Sequence, residues 1–447
     1  MIKVLTYGTY DLLHQGHINL LRRAKELGDY LIVGVTADGF DQARGKINTQ
    51  QSLMERIEAV KATGYVDEII IEEYEGQKID DIKRYNVDIF TVGSDWEGKF
   101  DYLKEYCNVV YLERTKGISS SDIRSNKRNI NIGLVGDLTF LSKFEREGKS
   151  VNGVNIIGVF PIDPTDDVPK NLSGLDVVTN DYDLLLSKVD AVYLYFNPKL
   201  HYEYIKKALL TGKHVLCESP ITISITELEE LQKLAKDKNL ILMEAIRTAY
   251  STAYHRLVVL AKSGVIGDIV SIDARCTSLR DREQDEKDYY KAWTSFSYWG
   301  PNAMLPIFQL LGTEYKQKTI ISRLQENNAH YDAFSSVDFI YPKAVGNIKV
   351  GKGVKTEGHL IISGTTGYIY VPAPWWKTDY FEIRREDSTQ DKRYFYQLDG
   401  EGIPYELVSF AKAIQTGKDF SYISMEVTRS IVNLVEDFYK DIGIIKI

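Results

Sequence analysis

Short apolar runs alternate with amphipathic stretches from the first residues onward. Residues 2–7, "IKVLTY", have the pattern of a buried strand, and "GHINLLRRAKELG" follows with its apolar positions on one helical face. The alternation continues through strand "YLIVGVTA", helix "QSLMERIEAVKAT", strand "EIII", helix "QKIDDIKRYN", and strands "DIFTVG" and "VVYL". Near-continuous apolar strands separated by helices predict a parallel sheet covered on both faces. The polar, basic "SSDIRSNKRN" has the character of a linker, and the alternation restarts at "INIGLVG". Strands "NIIGVF", "AVYLYF", "HVLCE" and "LILMEA", with helices "LHYEYIKKALLTG" and "TELEELQKLAKDKN", predict a second doubly wound domain. Beyond it, "IVSIDARCTSL", "SSVDFIYP", "VGNIKVGKG", "GHLIISGTTGYIYVPAP" and "YFEIRRE" are strand-like and joined by turn chemistry, which predicts one larger, mainly antiparallel sheet. Helices "PYELVSFAKAIQTGK" and "ISMEVTRSIVNLVEDFYKD" are expected to close the chain. The expected fold class is α/β: two Rossmann-like domains, 1–127 and 128–250, then an α+β domain, 251–447.

Composition narrows the function. The chain of 447 residues carries a net charge of −8, so no general nucleic-acid partner is expected, and an anionic substrate must meet a local basic cluster. Cys107, Cys217 and Cys276 lie far apart and are odd in number, with no Cys-x-x-Cys metal spacing, so no disulfide framework is expected and a reducing cytoplasm fits. The start "MIKVLTYGTYDLL" lacks the pattern of a signal peptide. No apolar run reaches the length of about 18 residues that a spanning helix needs, so no membrane insertion is expected.

The richest chemistry lies in "GTYDLLHQGH", just after the first strand. His14 and His17 flank Gly16 at the expected start of a helix, where backbone N–H groups and the helix dipole favour anions. Gly8 would let backbone approach a phosphate closely, and Thr9 adds a hydroxyl. A second cradle, "RTKGISSSDIR", follows strand "VVYL": Arg114 and Thr115 at the carboxyl edge of the sheet, then Ser119, Ser120 and Ser121 at a helix start. Capping alone explains one serine, not three beside an arginine.

These stretches, with "GSDWEGKFDYLKEYCNVVYL", resemble the glycerol-3-phosphate cytidylyltransferases of the HxGH nucleotidyltransferase superfamily over residues 1–125. The resemblance implies transfer of a cytidylyl group from CTP, with Mg²⁺, to a polyol phosphate, glycerol 3-phosphate by default, in capsule or teichoic acid synthesis. It implies that His14, His17, Lys46 and Arg114 act in catalysis, and that Thr9, Tyr10, Gly16, Asp95, Thr115, Ser119 and Ser120 frame the nucleotide. Asp11, Arg56 and Trp96 are expected at the substrate, Asp11 ordering the loop or the metal and Arg56 near the polyol phosphate. No side chain is assigned as a resident metal ligand.

Residues 130–447 resemble the Gfo/Idh/MocA oxidoreductases, through "NPKLHYEYIKKALLTGKHVLCESPI", "GVIGDIVSIDARCTS" and "SGTTGYIYVPAP". The residues that carry that family's chemistry are altered. Gly133 and Gly136 stand in the dinucleotide loop, but Leu138 and Leu141 occupy the later glycine positions. Pro161 stands where an acid should meet the ribose, with Asp163 two residues on. The family's lysine is Ser219, between Glu218 and Pro220, and Leu305 falls near its later His or Tyr. His201 and Glu218 are expected to be structural. NAD(P) binding is therefore not expected, and the module is expected to be non-catalytic, serving to bind a sugar or polyol phosphate, to dock a partner or to form a homo-oligomer. Two alternatives stand beside this: a working reductase that makes the polyol phosphate with NAD(P)H, and a scaffold in which neither part turns over. The aromatic runs "YYKAWTSFSYW" and "APWWK" suit sheet packing or carbohydrate stacking.

Overall fold

The computed structural model describes residues 1–37, 51–73, 76–113, 129–279, 293–325, 328–396, 398 and 400–447. Its contacts divide the chain into two compact units, Met1–Asn129 with Val151–Gly153 in one, and Ile130–Ser150 with Val154–Ile447 in the other.

The first unit is a five-stranded parallel sheet built from β1 (Lys3–Gly8), β2 (Tyr30–Thr36), β3 (Glu68–Glu72), β4 (Ile89–Gly93) and β5 (Asn108–Leu112). The order is β3-β2-β1-β4-β5. Side chains alternate across it, as a pleated strand requires. Val4, Leu31 and Val33 pack with Leu21 and Ala24 of helix Gln15–Glu26 and with Val60 of helix Leu53–Lys61. Leu5, Ile32, Phe90 and Val92 pack on the other face with Ile82 of helix Gln77–Tyr85. Burial on both faces explains why these strands are nearly unbroken apolar runs. The connections reverse direction at β1, between β2 and β4, and there the carboxyl ends of the strands open a crevice.

The second unit starts with another parallel sheet, order β11-β10-β9-β6-β7-β8. Its strands are β6 (Ile130–Gly136), β7 (Val154–Pro161), β8 (Val177–Val178), β9 (Ala191–Tyr195), β10 (His214–Glu218) and β11 (Leu242–Ala245). Here the switch point lies between β6 and β9. A nine-stranded sheet follows, order β19-β18-β17-β16-β12-β15-β14-β13-β20. Its strands are β12 (Ile269–Thr277), β13 (Gln317–Gln325), β14 (Asn328–Ile340), β15 (Val345–Gly351), β16 (Leu360–Gly364), β17 (Tyr368–Val371), β18 (Tyr380–Arg384), β19 (Lys392–Phe395) and β20 (Ile444–Lys446). Its pairs are antiparallel except β12 with β15 and β13 with β20. Helix Ser295–Leu311 covers one face, with Leu305 wholly buried.

One expectation is corrected. Helices do not close the chain: after Met425–Tyr439 the segment "IIK" adds β20 to the sheet edge beside β13. Three residues are too few for an alternation to register in the sequence. The expected linker lies outside the described residues, apart from Asn129.

Candidate active site

The first crevice is built on the loop that leaves β1. Its backbone is unusual: Tyr10 (φ 53°) and Leu12 (φ 49°) are both left-handed, a region disfavoured for residues with a Cβ. Several ties hold it there. Asp11, buried, accepts a hydrogen bond through Oδ1 from Gln51 N (3.1 Å), while Leu12 N donates to Gln51 Oε1 (2.8 Å). Arg56 is wholly buried, and its Nη1 donates to the carbonyls of Thr9 (2.7 Å) and Thr36 (2.8 Å) and its Nε to that of Gln51 (3.3 Å). Helix Leu53–Lys61 positions that guanidinium and is itself fixed by a capping box between Ser52 and Glu55.

The loop delivers the histidines. His14 is the N-cap of helix Gln15–Glu26, and its Nδ1 accepts from Gly16 N (3.0 Å). An accepting Nδ1 carries no proton, so the ring proton is on Nε2, a donor suited to a phosphate oxygen. His17, one turn on, stacks on His14 with ring centroids 3.9 Å apart and planes 21° apart. Tyr10 lies edge-on to His17 (5.6 Å) and is buried, so its contribution here is support for that ring. The first turn of the helix contains no acid. The space above Gly8, expected for a phosphate, is taken by Tyr10: a Cβ on Gly8 would stand 2.9 Å from the ring.

Asp95 and Trp96 sit in a single turn, Ser94–Trp96, immediately beyond β4, on the other side of the switch point. Asp95 is exposed, and Trp96 is half-buried against Phe100, with the Lys99 ammonium 5.0 Å from its ring. Thr9, Tyr10, Asp11, His14, Gly16, His17 and Arg56 are thus brought onto one loop–helix junction. Lys46, Arg114, Thr115, Ser119 and Ser120 lie outside the described residues.

Sequence reasoning missed a polar cluster at the carboxyl ends of β1 to β3. Lys78 is paired with Glu72, both side chains buried, and its ammonium lies 4.6 Å from the Tyr7 ring. Glu72 also accepts from Thr36 Oγ1 (2.9 Å), and Tyr7 donates its hydroxyl to Asp81 (2.6 Å). The helix pattern of "QKIDDIKRYN" hid this. Lys78 and Asp81 are charged positions of that helix, yet both are buried.

The second crevice has the same layout and different contents. β6 ends at Gly136 (φ 136°), where a Cβ would stand 2.0 Å from the Tyr195 carbonyl oxygen. Asp137 caps the next helix, Leu138–Gly148, accepting through Oδ1 from Thr139 N (2.8 Å) and Phe140 N (3.1 Å). Leu138 and Leu141 are buried. The Phe140 ring stacks on Tyr195 at 4.0 Å, and the Arg247 guanidinium lies 4.6 Å from Phe140.

Ser219, in a cis peptide with Pro220, donates to Glu244, which also accepts from Thr428. Glu218 accepts from Tyr193 (2.6 Å) and Arg247. Burial raises the carboxyls of Glu218 and Glu244 above their usual range, against the pull of Arg247 on the first and of its hydroxyl donors on the second. Glu406, buried with no hydrogen-bond partner on either oxygen, is pushed up furthest, by burial and then by Glu218. His201 is wholly buried, with carbonyl oxygens of Pro220 and Phe196 at 3.0 Å from its two ring nitrogens. Burial, opposed by these carbonyls, brings its pKa down to about 4, so the ring is neutral near pH 7.

Comparisons with known proteins divide the chain in the same way. Residues 5–126 match the family model described as cytidylyltransferase-like, and residues 130–246 that of the oxidoreductase family with an NAD-binding Rossmann fold. Glycerol-3-phosphate cytidylyltransferase of Staphylococcus aureus is 51% identical over 124 residues, 28% of this chain and 93% of that protein. Its Bacillus subtilis counterpart is 52% identical over 124 residues, 28% of this chain and 95% of that protein. Among solved structures, a 3-ketoreductase from Actinomadura kijaniata, in complex with NADP and TDP-benzene, is 20% identical and superposes with a TM-score of 0.60. That match covers 71% of this chain and 99% of the other, and at this identity it establishes the fold alone. Through its first unit the chain belongs to the glycerol-3-phosphate cytidylyltransferase family, and later in the sequence it carries a module of the Gfo/Idh/MocA oxidoreductase fold.

Proposed function

We propose that the first unit transfers a cytidylyl group from CTP to a polyol phosphate, glycerol 3-phosphate being the default acceptor. An oxygen of the acceptor phosphate attacks the α-phosphorus in line, the bond from that phosphorus to the oxygen bridging the β-phosphate breaks, and pyrophosphate leaves. No side-chain nucleophile is needed; orientation and positive charge supply the rate. His14 and His17 donate to the triphosphate and stabilise charge as pyrophosphate departs. Thr9, Tyr10 and Gly16 form the loop and helix start around the phosphates, Asp95 and Trp96 the far wall. Lys46, Arg114, Thr115, Ser119 and Ser120 complete the nucleotide cradle. Asp11 and Arg56 serve the site by holding its loop.

Mg²⁺ enters as part of the CTP substrate, taking most of its ligands from phosphate oxygens and water. The second unit carries out no hydride transfer, because a neutral hydroxyl stands where an ammonium would polarise a carbonyl. Among the described residues no helix is long and apolar enough to cross a membrane, and the product would serve surface-polymer synthesis from the cytoplasmic side.

The observation that carries this reading is the stacked His14–His17 pair at a helix start on the switch point of a parallel sheet. The test is pyrophosphate release from CTP against a panel of polyol phosphates, with ATP, GTP and UTP as competitors. CTP-selective turnover with one acceptor is expected. No turnover with any acceptor would leave the scaffold reading standing.

A further inference from the structure

We infer that the dinucleotide crevice of the second unit is closed by its own side chains, so that this module lacks the place for a cofactor as well as the catalytic ammonium. A dinucleotide pyrophosphate needs bare N–H groups at the helix start and a residue without a side chain at the point of closest approach. Neither is present. The Asp137 carboxylate accepts from the N–H groups of Thr139 and Phe140, so the helix start is already neutralised and presents negative charge to any incoming phosphate. Leu138 holds the register of the second glycine of the fingerprint, so a buried leucine stands where the chain would need no side chain at all.

The aromatic stack closes the other half. Gly136 and Tyr195 are direct partners in the β6–β9 ladder, so the Phe140–Tyr195 stack lies over the point where the strand order reverses. Arg247 lies against its Phe140 side, and Trp293 is 5.8 Å from Tyr195. The ribose side is altered as well. Pro161 ends β7, and Asp163 Oδ1 accepts from Thr165 N (2.9 Å) and Thr165 Oγ1 (2.6 Å) within its own turn. Charge, volume and ribose recognition therefore oppose the cofactor separately, and restoring a lysine at Ser219 does not restore binding.

The inference is independent of cytidylyl transfer, and its test needs only the dinucleotide. The full chain is titrated with NADH and NADPH, reading nicotinamide emission, and with NAD⁺ and NADP⁺, reading thermal unfolding. A site with a Kd of about 10 µM would, at about 1 mM ligand, raise Tm by several degrees. The expected result is no saturable emission change and a Tm shift under about 1 °C, for the wild type and for Ser219→Lys alike. Saturable binding below about 1 mM by either protein overturns the inference. The opened variant Asp137→Gly/Leu138→Gly/Phe140→Ala is expected to bind NAD(P)H at least about tenfold more tightly than the wild type. If it retains native circular dichroism and still binds no better, the closure is not the work of these side chains.

Discussion

Two crevices in this chain share a plan and differ in the sign of one cap. In each, the first strand of a parallel sheet ends in a glycine, Gly8 or Gly136, and a side chain caps the helix that follows. In the first the cap is His14, a neutral ring that satisfies one N–H and carries a donor of its own. In the second it is Asp137, a carboxylate that takes two N–H groups and returns a negative charge. Strand order alone does not make an anion site. The residue at the helix entrance decides whether the dipole remains available to a ligand or is neutralised from within.

Exchanging or removing the caps tests that contrast, and the largest effect is expected at the histidines. His14→Ala or His17→Ala should lower kcat for CTP-dependent pyrophosphate release by about 100-fold or more. Unchanged turnover in either variant would remove the contrast at its root. Next is the support beneath the loop. Arg56→Ala leaves the carbonyls of Thr9 and Thr36 without their donor and should cost the first unit about 2–3 kcal/mol in urea unfolding. If Arg56 instead chiefly contacts the acceptor, that variant would raise KM for the polyol phosphate and leave stability unchanged.

The third prediction concerns pH. His201 has its folded pKa below its unfolded one, so the unfolded chain binds more protons as pH falls below 6.5, and stability is lost in that direction down to about pH 4. Between pH 7 and pH 5 the second unit should lose about 2 kcal/mol through this group, and His201→Asn should flatten that slope. Four of the five tryptophans, Trp293, Trp299, Trp375 and Trp376, belong to this unit, so denaturation followed by their emission reports on it. The smallest effect is expected at Asp137→Ala, about 1 kcal/mol of second-unit stability with CTP turnover unchanged. A change in turnover there would mean the two crevices do not work separately.

The strands and helices of both Rossmann-like sheets were legible because burial on two faces writes itself as uninterrupted apolar runs. The histidine loop was legible because glycine and histidine at that spacing have few other uses. Arg56 was visible as a functional candidate, but not its wholly buried state, since a guanidinium bonded to three carbonyls leaves no mark on the pattern around it. The Lys78–Glu72 pair was hidden for the same reason. The filled second crevice depends on Phe140, Tyr195 and Arg247 meeting across long stretches of chain. The missing glycines and lysine were plain in the sequence, but what replaced them was not.

The left-handed backbone at Tyr10 and Leu12 has a kinetic consequence. Each such residue costs on the order of 1 kcal/mol, and the ties from Gln51 and Arg56 meet that cost when the unit folds. A loop bent in advance does not have to be ordered again with each arriving nucleotide. Under the proposed function, exchange of product for fresh CTP is then set by diffusion and release, and not by a folding step repeated in every catalytic cycle.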